Sequence, residues 1–359
     1  MIGSVAADIV GQPAAYFRSL SLKDVAFTEH YGRVISRLLQ ASDVVDVRQL
    51  AIARSVMVLA SVKRLFKPLA GSEDGAALVS LSITQCNFGD RSVEYLASAL
   101  VRGALSLLAR LDLSQNVITH DGLAKLVLPE HGLRSRWRLA ELNLANNAIG
   151  AVGAQHLAAM LSTRPLAGTS QLRLLDISSN VVGEPGLRAL WQPLASHRSL
   201  RSVLLDGNDL GIPGAEHVAS LLRHNTAIVS LSLGRNDLRD QGVERIVNAL
   251  CQQQPKQQQQ IQQQPLTSLS LDLNGLTATA GQHIGRLLQS PHHRLRSLNL
   301  AYNRLQCVGC QHMADGLRSN STLETLDLAA NHIAADGARH IASSLRHAVR
   351  NGVSSGSGS

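Results

Sequence analysis

Apolar and polar positions alternate over short stretches of this chain, and the same phrase of residues returns many times. One copy reads Leu139-Ala-Glu-Leu142-Asn-Leu144-Ala-Asn-Asn147-Ala-Ile149 and is followed by Gly153. The Leu-x-Leu alternation predicts a short strand with one face in the core. After the glycine, apolar residues recur at helical spacing, which predicts a helix. Each copy therefore predicts one strand followed by one helix.

The position after each strand is held by asparagine in almost every copy. Successive steps along this column are 30, 31, 33, 28, 28, 38, 29 and 28 residues, so nine repeats share a period of about 28. An asparagine amide at such a turn can pair backbone groups within and between repeats, which predicts a buried ladder. The ladder residues are Cys86, Asn116, Asn147, Asn180, Asn208, Asn236, Asn274, Asn303 and Asn331.

Over residues 78–348 the phrase resembles the ribonuclease-inhibitor-like class of leucine-rich repeats. The resemblance implies an α/β solenoid of horseshoe form, with a parallel β-sheet on the concave side and helices on the convex side. That class includes inhibitors, GTPase activators, immune receptors and ciliary scaffolds, so it specifies the fold much more closely than the function. Ribonuclease inhibitors proper have a concave side rich in Trp and acids; this chain departs from that, so their activity is not carried over.

The segments around the repeats predict three further features. Residues 1–77 lack the phrase and read as helices, one carrying Val34 to Leu39 and one from about Val47 to Phe66. They are expected to form a helical N-terminal cap on the first repeat, with a separate docking segment as the alternative. The glutamine-rich tract 252–265 predicts an exposed loop inserted between a helix and the next strand. The Gly/Ser-rich residues 349–359 predict a disordered tail.

Composition argues against several classes of protein. Four cysteines are too few for a disulfide framework, which favours a reducing, cytoplasmic compartment. The first ten residues lack the features of a secretory signal, and no apolar run is long enough to span a membrane. Phosphate-binding loops and hydrolase motifs are missing, so we expect no enzyme and no cofactor. Cys307 and Cys310 form a single C-x2-C pair, whose register predicts a small buried helix residue at Cys310 and no metal site.

The strand positions that point away from the core are small, polar and mildly acidic. Three such rows hold six acids and one arginine, and Tyr302 is an isolated aromatic residue beside them. We expect this face to bind a basic or neutral protein segment, which makes it a candidate partner-binding surface. Its candidate residues are Arg110, Asp112, Glu141, Asp176, Asp206, Asp272, Tyr302 and Asp327.

Nine positions after the ladder residue, a cationic or titratable side chain stands in most repeats. This flank stripe comprises Lys125, His156, His217, Arg245, His283, His312 and His340. We expect these side chains to form a solvated column on the protein surface. The alternative is a stripe that binds a partner or responds to pH. A metal ladder would need histidines on helices about 10 Å apart to converge.

The formal net charge is +8, and 29 of the 34 basic residues are arginine. Since the sheet face is acidic, the excess is expected on the helices and flanks, where it could meet an acidic partner such as tubulin. Nucleic acid is not expected, because aromatic residues do not interleave with the basic ones. The leading hypothesis is a non-enzymatic protein-binding scaffold, with ciliary or flagellar axonemes as the specific setting. The alternatives are a small-GTPase regulator similar to the Ran GTPase-activating proteins and a detached repeat domain of an innate-immune sensor.

Overall fold

The computed structural model describes residues 18–41, 46–70, 76–127, 139–162, 172–251, 266–291 and 293–354. The chain divides into two compact units, one of Met1–Ile149 with Thr163–Leu175 and one of Gly150–Ser162 with Asp176–Ser359. Strands and helices alternate in both units, which confirms the predicted repeat architecture. The glutamine-rich tract 252–265 lies outside the described residues.

The first unit contains five parallel strands and four helices among its described residues. Neighbouring strands pair in chain order, for example Leu50 with Leu81 and Leu111 with Leu142. The strands are β1 (Ser19–Lys23), β2 (Gln49–Ala53), β3 (Ser80–Thr84), β4 (Arg110–Asp112) and β5 (Glu141–Asn143). The helices are α1 (Glu29–Gln40), α2 (Leu59–Leu69), α3 (Asp90–Val101) and α4 (His120–Val127).

The second unit repeats the pattern with strands of three residues, the length of β4 and β5, and these again pair in parallel and in register. β6 (Leu174–Asp176) lies at the boundary between the units, and β7 (Ser202–Leu204), β8 (Ser230–Ser232), β9 (Ser268–Ser270), β10 (Ser297–Asn299) and β11 (Thr325–Asp327) follow. The helices are α5 (Gly150–Ser162), α6 (Gly183–Ser196), α7 (Gly211–His224), α8 (Arg239–Cys251), α9 (Ala278–Gln289), α10 (Gln306–Leu317) and α11 (Ala335–Ser354).

The described residues 18–41 and 46–70 differ from the expected helical cap, because β1 and β2 add two repeats to the nine identified from the sequence. The first predicted helix is present as α1. The second begins at Leu59 rather than at about Val47, since Gln49–Ala53 forms a strand. At the other end, α11 continues to Ser354, so residues 349–354 are helical and not the predicted disordered tail.

Strand leucines and helix aliphatics meet in one thin core layer per repeat. In the repeat of β3, Leu81, Ile83 and Leu96 are almost completely buried, whereas Ser80 and Ser82 face away. Some helices approach so closely that only glycine fits between them. A Cβ on Gly281 of α9 would lie 2.6 Å from Cα of Gly309 on α10, for example. The repeats therefore stack as sheet on one side and helices on the other.

Candidate functional site

The ladder side chains join successive repeats through buried hydrogen bonds. In the second unit, Oδ1 of Asn236 accepts from the backbone N–H of Asn208 at 2.9 Å, and its Nδ2 donates to Leu205 O at 2.9 Å and to Gly234 O at 3.0 Å. Asn208, Asn274 and Asn303 bridge in the same way. These asparagines are structural, and they fix how the neighbouring side chains are presented.

The ladder in the first unit has asparagines at Asn116 and Asn147 and other residues in the earlier repeats. Oδ1 of Asn116 accepts from the backbone N–H groups of Cys86 and Phe88 at 3.0 and 3.1 Å. Cys86 Sγ lies 3.4 Å from Ile52 O and 3.1 Å from Thr84 O, and burial raises the pKa of its thiol. In the repeat of β2, which the sequence analysis missed, Ser55 Oγ accepts from Val25 N–H at 3.1 Å and donates to Ala53 O at 2.8 Å.

The residue just before each ladder position has a left-handed backbone, with φ between 48° and 62° in all eleven described repeats. Only Gly207 is a glycine there. The sequence does not predict this column, because a left-handed conformation is unusual for residues other than Gly, Asn and Asp. Its members are Asp24, Arg54, Gln85, Gln115, Asn146, Ser179, Gly207, Arg235, Leu273, Tyr302 and Ala330.

Two members of this column in the second unit are large, apolar and exposed. Leu273 is 45 % exposed and Tyr302 is 61 % exposed. They occupy the same position in adjacent repeats, and the backbone N–H of Leu273 donates to Ala301 O at 3.1 Å. Adjacent strands lie about 4.8 Å apart, so the two side chains stand next to each other. Tyr302 is the only aromatic residue among the exposed large hydrophobic side chains of the described chain.

Asp206 and Asp272 lie on the sheet face of the same unit, one on each side of Gly234. Asp272 directly precedes Leu273 in the chain, and Asp206 belongs to the repeat two before it. A Cβ on Gly234 would lie 2.9 Å from Asp206 Oδ1 and 2.6 Å from Asp272 Oδ1, so the glycine leaves room for both carboxylates. Asp206 accepts hydrogen bonds from Ser232 Oγ and Gly234 N–H, each at 2.6 Å. Asp272 accepts from Ser270 Oγ at 2.5 Å and from Asn299 Nδ2 at 3.2 Å.

Partial burial raises the pKa of the Asp206 carboxyl, and the charge of Asp272 acts in the same direction. The hydrogen bonds from Ser232 and Gly234 oppose that shift. Within the described chain no Lys, Arg or His forms an ion pair with either carboxylate; their hydrogen-bond donors are neutral hydroxyl, amide and backbone groups.

The other candidate sheet-face residues are arranged differently. In the first unit Arg110 pairs with Glu141 at 3.7 Å, which neutralises both, and Asp112 accepts from Ser114 N–H at 3.0 Å. In the second unit Asp176 accepts from Ser178 N–H at 2.9 Å, and exposed Asp327 accepts from Ala329 N–H at 2.9 Å. These aspartates close local turns through one carboxylate oxygen each.

In the second unit, acidic and basic residues concentrate at opposite ends of the strands. We define exit loops as the segments from each strand through the first turn of the following helix, and return loops as those from the last helical turn to the next strand. Described exit loops carry nine acids, Asp176, Glu184, Asp206, Asp209, Asp237, Asp240, Asp272, Asp327 and Asp336, against Arg235, Arg239 and Arg304. Described return loops carry seven arginines, Arg198, Arg201, Arg223, Arg286, Arg294, Arg296 and Arg318, against Asp315 and Glu324.

Part of the flank stripe is engaged with acids of the preceding helix. Lys125 Nζ lies 2.8 Å from Glu94, His217 Nε2 2.8 Å from Glu184, and Arg245 3.7 Å from Glu216. His283 Nδ1 lies 3.1 Å from Arg286, His156 is half-buried, and His312 and His340 are exposed. These contacts link helices of adjacent repeats, so this column is not a uniform line of free cations.

A second polar column, which the sequence analysis missed, closes the return loops of the second unit. Asn225 Oδ1 accepts from Ala227 and Ile228 N–H at 2.7 Å each, and its Nδ2 donates to Leu194 O at 2.8 Å. His197, His293 and Asn320 fill the matching place ten or eleven positions before a ladder asparagine. Burial lowers the pKa of His197 and His293. That regular spacing was the signal that could have revealed them.

The described residues show no other constellation of chemical groups. No cluster of three or more His, Cys, Asp or Glu in this part of the chain could hold a metal ion. Cys310 is completely buried, and its burial together with nearby Cys307 raises the pKa of the thiol to about 11. Every helix in the described ranges is too short or too polar to cross a membrane.

A family model described as leucine-rich repeat matches residues 139–158, 224–247 and 319–342. An internalin from Listeria monocytogenes is similar in structure with 16 % identity and a TM-score of 0.43, covering 82 % of this chain and 78 % of its own. Rad7 in a complex with Elc1 from yeast has 15 % identity and a TM-score of 0.40, covering 87 % and 85 %. Actin-binding site 2 of leiomodin-1 has 18 % identity and a TM-score of 0.38, covering 48 % and 92 %. The family model thus matches three of the repeats, and the alternating parallel strands and helices of the structure are the architecture of a leucine-rich-repeat solenoid.

Proposed function

We propose that this protein is a non-enzymatic scaffold that binds other proteins through the surfaces of its repeats. The observation that carries the proposal is the separation of charge in the second unit, with acidic exit loops and basic return loops on one framework. Side chains held on rigid repeats can present such surfaces to partners without reorganisation, which favours binding. The helix behind every strand supports assignment of the repeats to the ribonuclease-inhibitor-like class.

The test compares the two surfaces in one capture experiment with the full chain as bait. One variant reverses charge on the sheet face through Asp112→Lys, Asp176→Lys and Asp206→Lys. The other neutralises return loops through Arg198→Ala, Arg201→Ala and Arg294→Ala. We expect wild-type chain to retain a defined set of proteins, identified by cross-linking and mass spectrometry, and each variant to lose a different part of it. A partner-free pool for wild type would contradict the scaffold function.

We further propose that the scaffold is a structural component of a large cytoskeletal assembly, such as a ciliary or flagellar axoneme. The net charge of +8 and the seven arginines of the return loops support an acidic partner such as tubulin. Co-sedimentation with microtubules should fall with ionic strength and should be weakened in the return-loop variant. If the microtubules pellet while the chain stays in the supernatant, the proposed cytoskeletal setting is contradicted. Stimulation of GTP hydrolysis by a small GTPase would replace it with the alternative, a GTPase regulator.

A further inference from the structure

Leu273 and Tyr302 form an apolar ridge that the fold does not require. The left-handed backbone at this column suits glycine best, and Gly207, Arg235 and Ala330 fill it in neighbouring repeats. A large apolar side chain there stays in water, since Tyr302 is 61 % exposed and Leu273 45 % exposed. Exposed aromatic residues held on a rigid backbone are the usual anchors of protein interfaces.

The surroundings of the ridge indicate the chemistry of its partner. Asp206 and Asp272 converge over Gly234 on the same side of the sheet, and their described partners are all uncharged. Two other acids of the second unit, Asp237 and Glu216, are paired with Arg239 and Arg245. Asp176 and Asp327 each accept from a backbone N–H, and what distinguishes Asp206 and Asp272 from them is that the two carboxylates approach each other over Gly234. A guanidinium or ammonium group supplied from outside would complete the pair, and Arg fits two carboxylates best because its donors form a planar fork.

We propose that the surface made by Leu273, Tyr302, Asp206 and Asp272 binds an extended basic segment of another protein, with an arginine between the two carboxylates and an adjacent apolar side chain against Tyr302. This rests on the proposed scaffold function and names the partner for one of its surfaces. The whole chain carries +8, so a basic segment is repelled overall. Its binding must therefore depend on these local groups, which makes mutation at the ridge decisive.

The experiment measures fluorescence anisotropy of three synthetic peptides of equal length with the full chain. One alternates Arg and Leu, one alternates Glu and Leu, and one alternates Arg and Ser. We expect the Arg/Leu peptide to bind most tightly. Asp206→Asn with Asp272→Asn, and separately Tyr302→Ala, should each weaken it by about tenfold or more, as expected for an interface hot spot.

Matched controls separate the ridge from general charge and apolarity. Asp121→Asn with Asp315→Asn changes the net charge by the same amount at exposed sites elsewhere, and Val152→Ser removes an exposed apolar side chain from α5. Both controls should leave the affinity for the Arg/Leu peptide within about twofold of wild type. Melting curves of all variants should nearly overlay, because an asparagine Oδ1 can still accept from Ser232 and Gly234 at position 206 and from Ser270 and Asn299 at position 272.

Three outcomes would overturn the ridge proposal. The Glu/Leu peptide binds best, or the controls weaken binding as much as the ridge variants do. Alternatively, the chain self-associates in sedimentation velocity and Tyr302→Ala abolishes this, so that the ridge is an interface between two copies. If the captured proteins of the scaffold test persist in the ridge variants, the scaffold function stands and the ridge proposal alone fails.

Discussion

In the first unit, the turn after β2 is closed by Ser55 and the turn after β3 by Cys86, whereas Asn116 and Asn147 close the turns after β4 and β5. In the second unit asparagine closes every described turn from β6 to β11. The backbone is the same in both, because the residue before the ladder position is left-handed throughout. A serine or cysteine can satisfy fewer backbone groups than an amide, which has both a donor and an acceptor. The turn therefore keeps its backbone geometry whichever residue occupies the ladder position, and we expect the ladder side chain to set how stable the turn is.

Replacement of a ladder asparagine tests this difference most strongly. Asn236→Ala removes three hydrogen bonds at a side chain that is 1 % exposed and leaves Asn208 N–H without its acceptor. We expect a loss of about 3 kcal/mol in the free energy of unfolding, because unpaired buried groups keep their desolvation penalty. Ser55→Ala, which removes two bonds, should cost about 1 kcal/mol. Urea unfolding of both variants measures the contrast, and equal losses would refute it.

A second test concerns the close contacts between helices of adjacent repeats. Gly285 of α9 lies against His312 O of α10, and a Cβ there would overlap that oxygen. Gly285→Ala should therefore lower the free energy of unfolding by about 2 kcal/mol through overpacking. The first unit has an equivalent contact of Gly32 with Ser61 O, so Gly32→Ala should act similarly. Gly275→Asn is the control, since a Cβ there meets nothing within 4 Å and asparagine tolerates its φ of 68°. A control loss as large as that of Gly285→Ala would rule out the packing explanation.

The sequence predicted strands, helices and ladder wherever the leucine phrase was complete. It failed at β1 and β2, although Leu20-Ser-Leu22 and Leu50-Ala-Ile52 keep the strand alternation. Ser55 and Cys86 are 31 residues apart, a normal repeat step, but serine does not identify a ladder position on its own. The sequence pattern therefore did not identify β1 and β2, whose turns lack the asparagine. The structure identifies them as repeats because β1 pairs with β2 and β2 pairs with β3 in register.

The candidate site was predicted only as a list of outward-facing residues. Alternation placed Asp206 and Asp272 on one face, but only the structure shows that Gly234 lets them converge. Tyr302 was identified as an isolated aromatic residue, whereas its pairing with Leu273 depends on a left-handed column that propensity disfavours. Sequence spacing predicts which surface a residue lies on. It does not predict whether the charge of that residue is paired with an opposite charge.

Acid is expected to destabilise the second unit, because it contains the half-buried His197 and the buried His293 of the return loops. Folding lowers the pKa of His197 and His293 below the ordinary value of 6.5, so the folded state favours their neutral rings. Their contribution to stability is complete above that value and is lost as pH falls from it through the folded pKa. We expect the Tm of the wild-type chain to fall between pH 7 and pH 5, a smaller effect than either substitution above.

The matched variant is His197→Asn with His293→Asn, because Asn225 and Asn320 hold the same position and accept the same kind of backbone hydrogen bond. Its Tm should change less with pH over the same range. Parallel Tm curves for variant and wild type would show that other groups control the acid response.

Conversion of Cys86 to asparagine is expected to change the free energy of unfolding least, and it tests whether asparagine suits this turn of the first unit. Cys86 Sγ already lies beside Ile52 O and Thr84 O, the kind of backbone oxygens to which Asn116 donates one repeat later. Cys86→Asn should make these contacts stronger hydrogen bonds and raise the free energy of unfolding by up to about 1 kcal/mol. The larger amide must fit a completely buried site, and overpacking acts against the gain. Cys86→Ala, which removes the sulfur contacts without adding volume, should be less stable than wild type. If Cys86→Asn is the less stable of the two, the turn in the first unit is shaped for a small side chain and asparagine is not its general optimum.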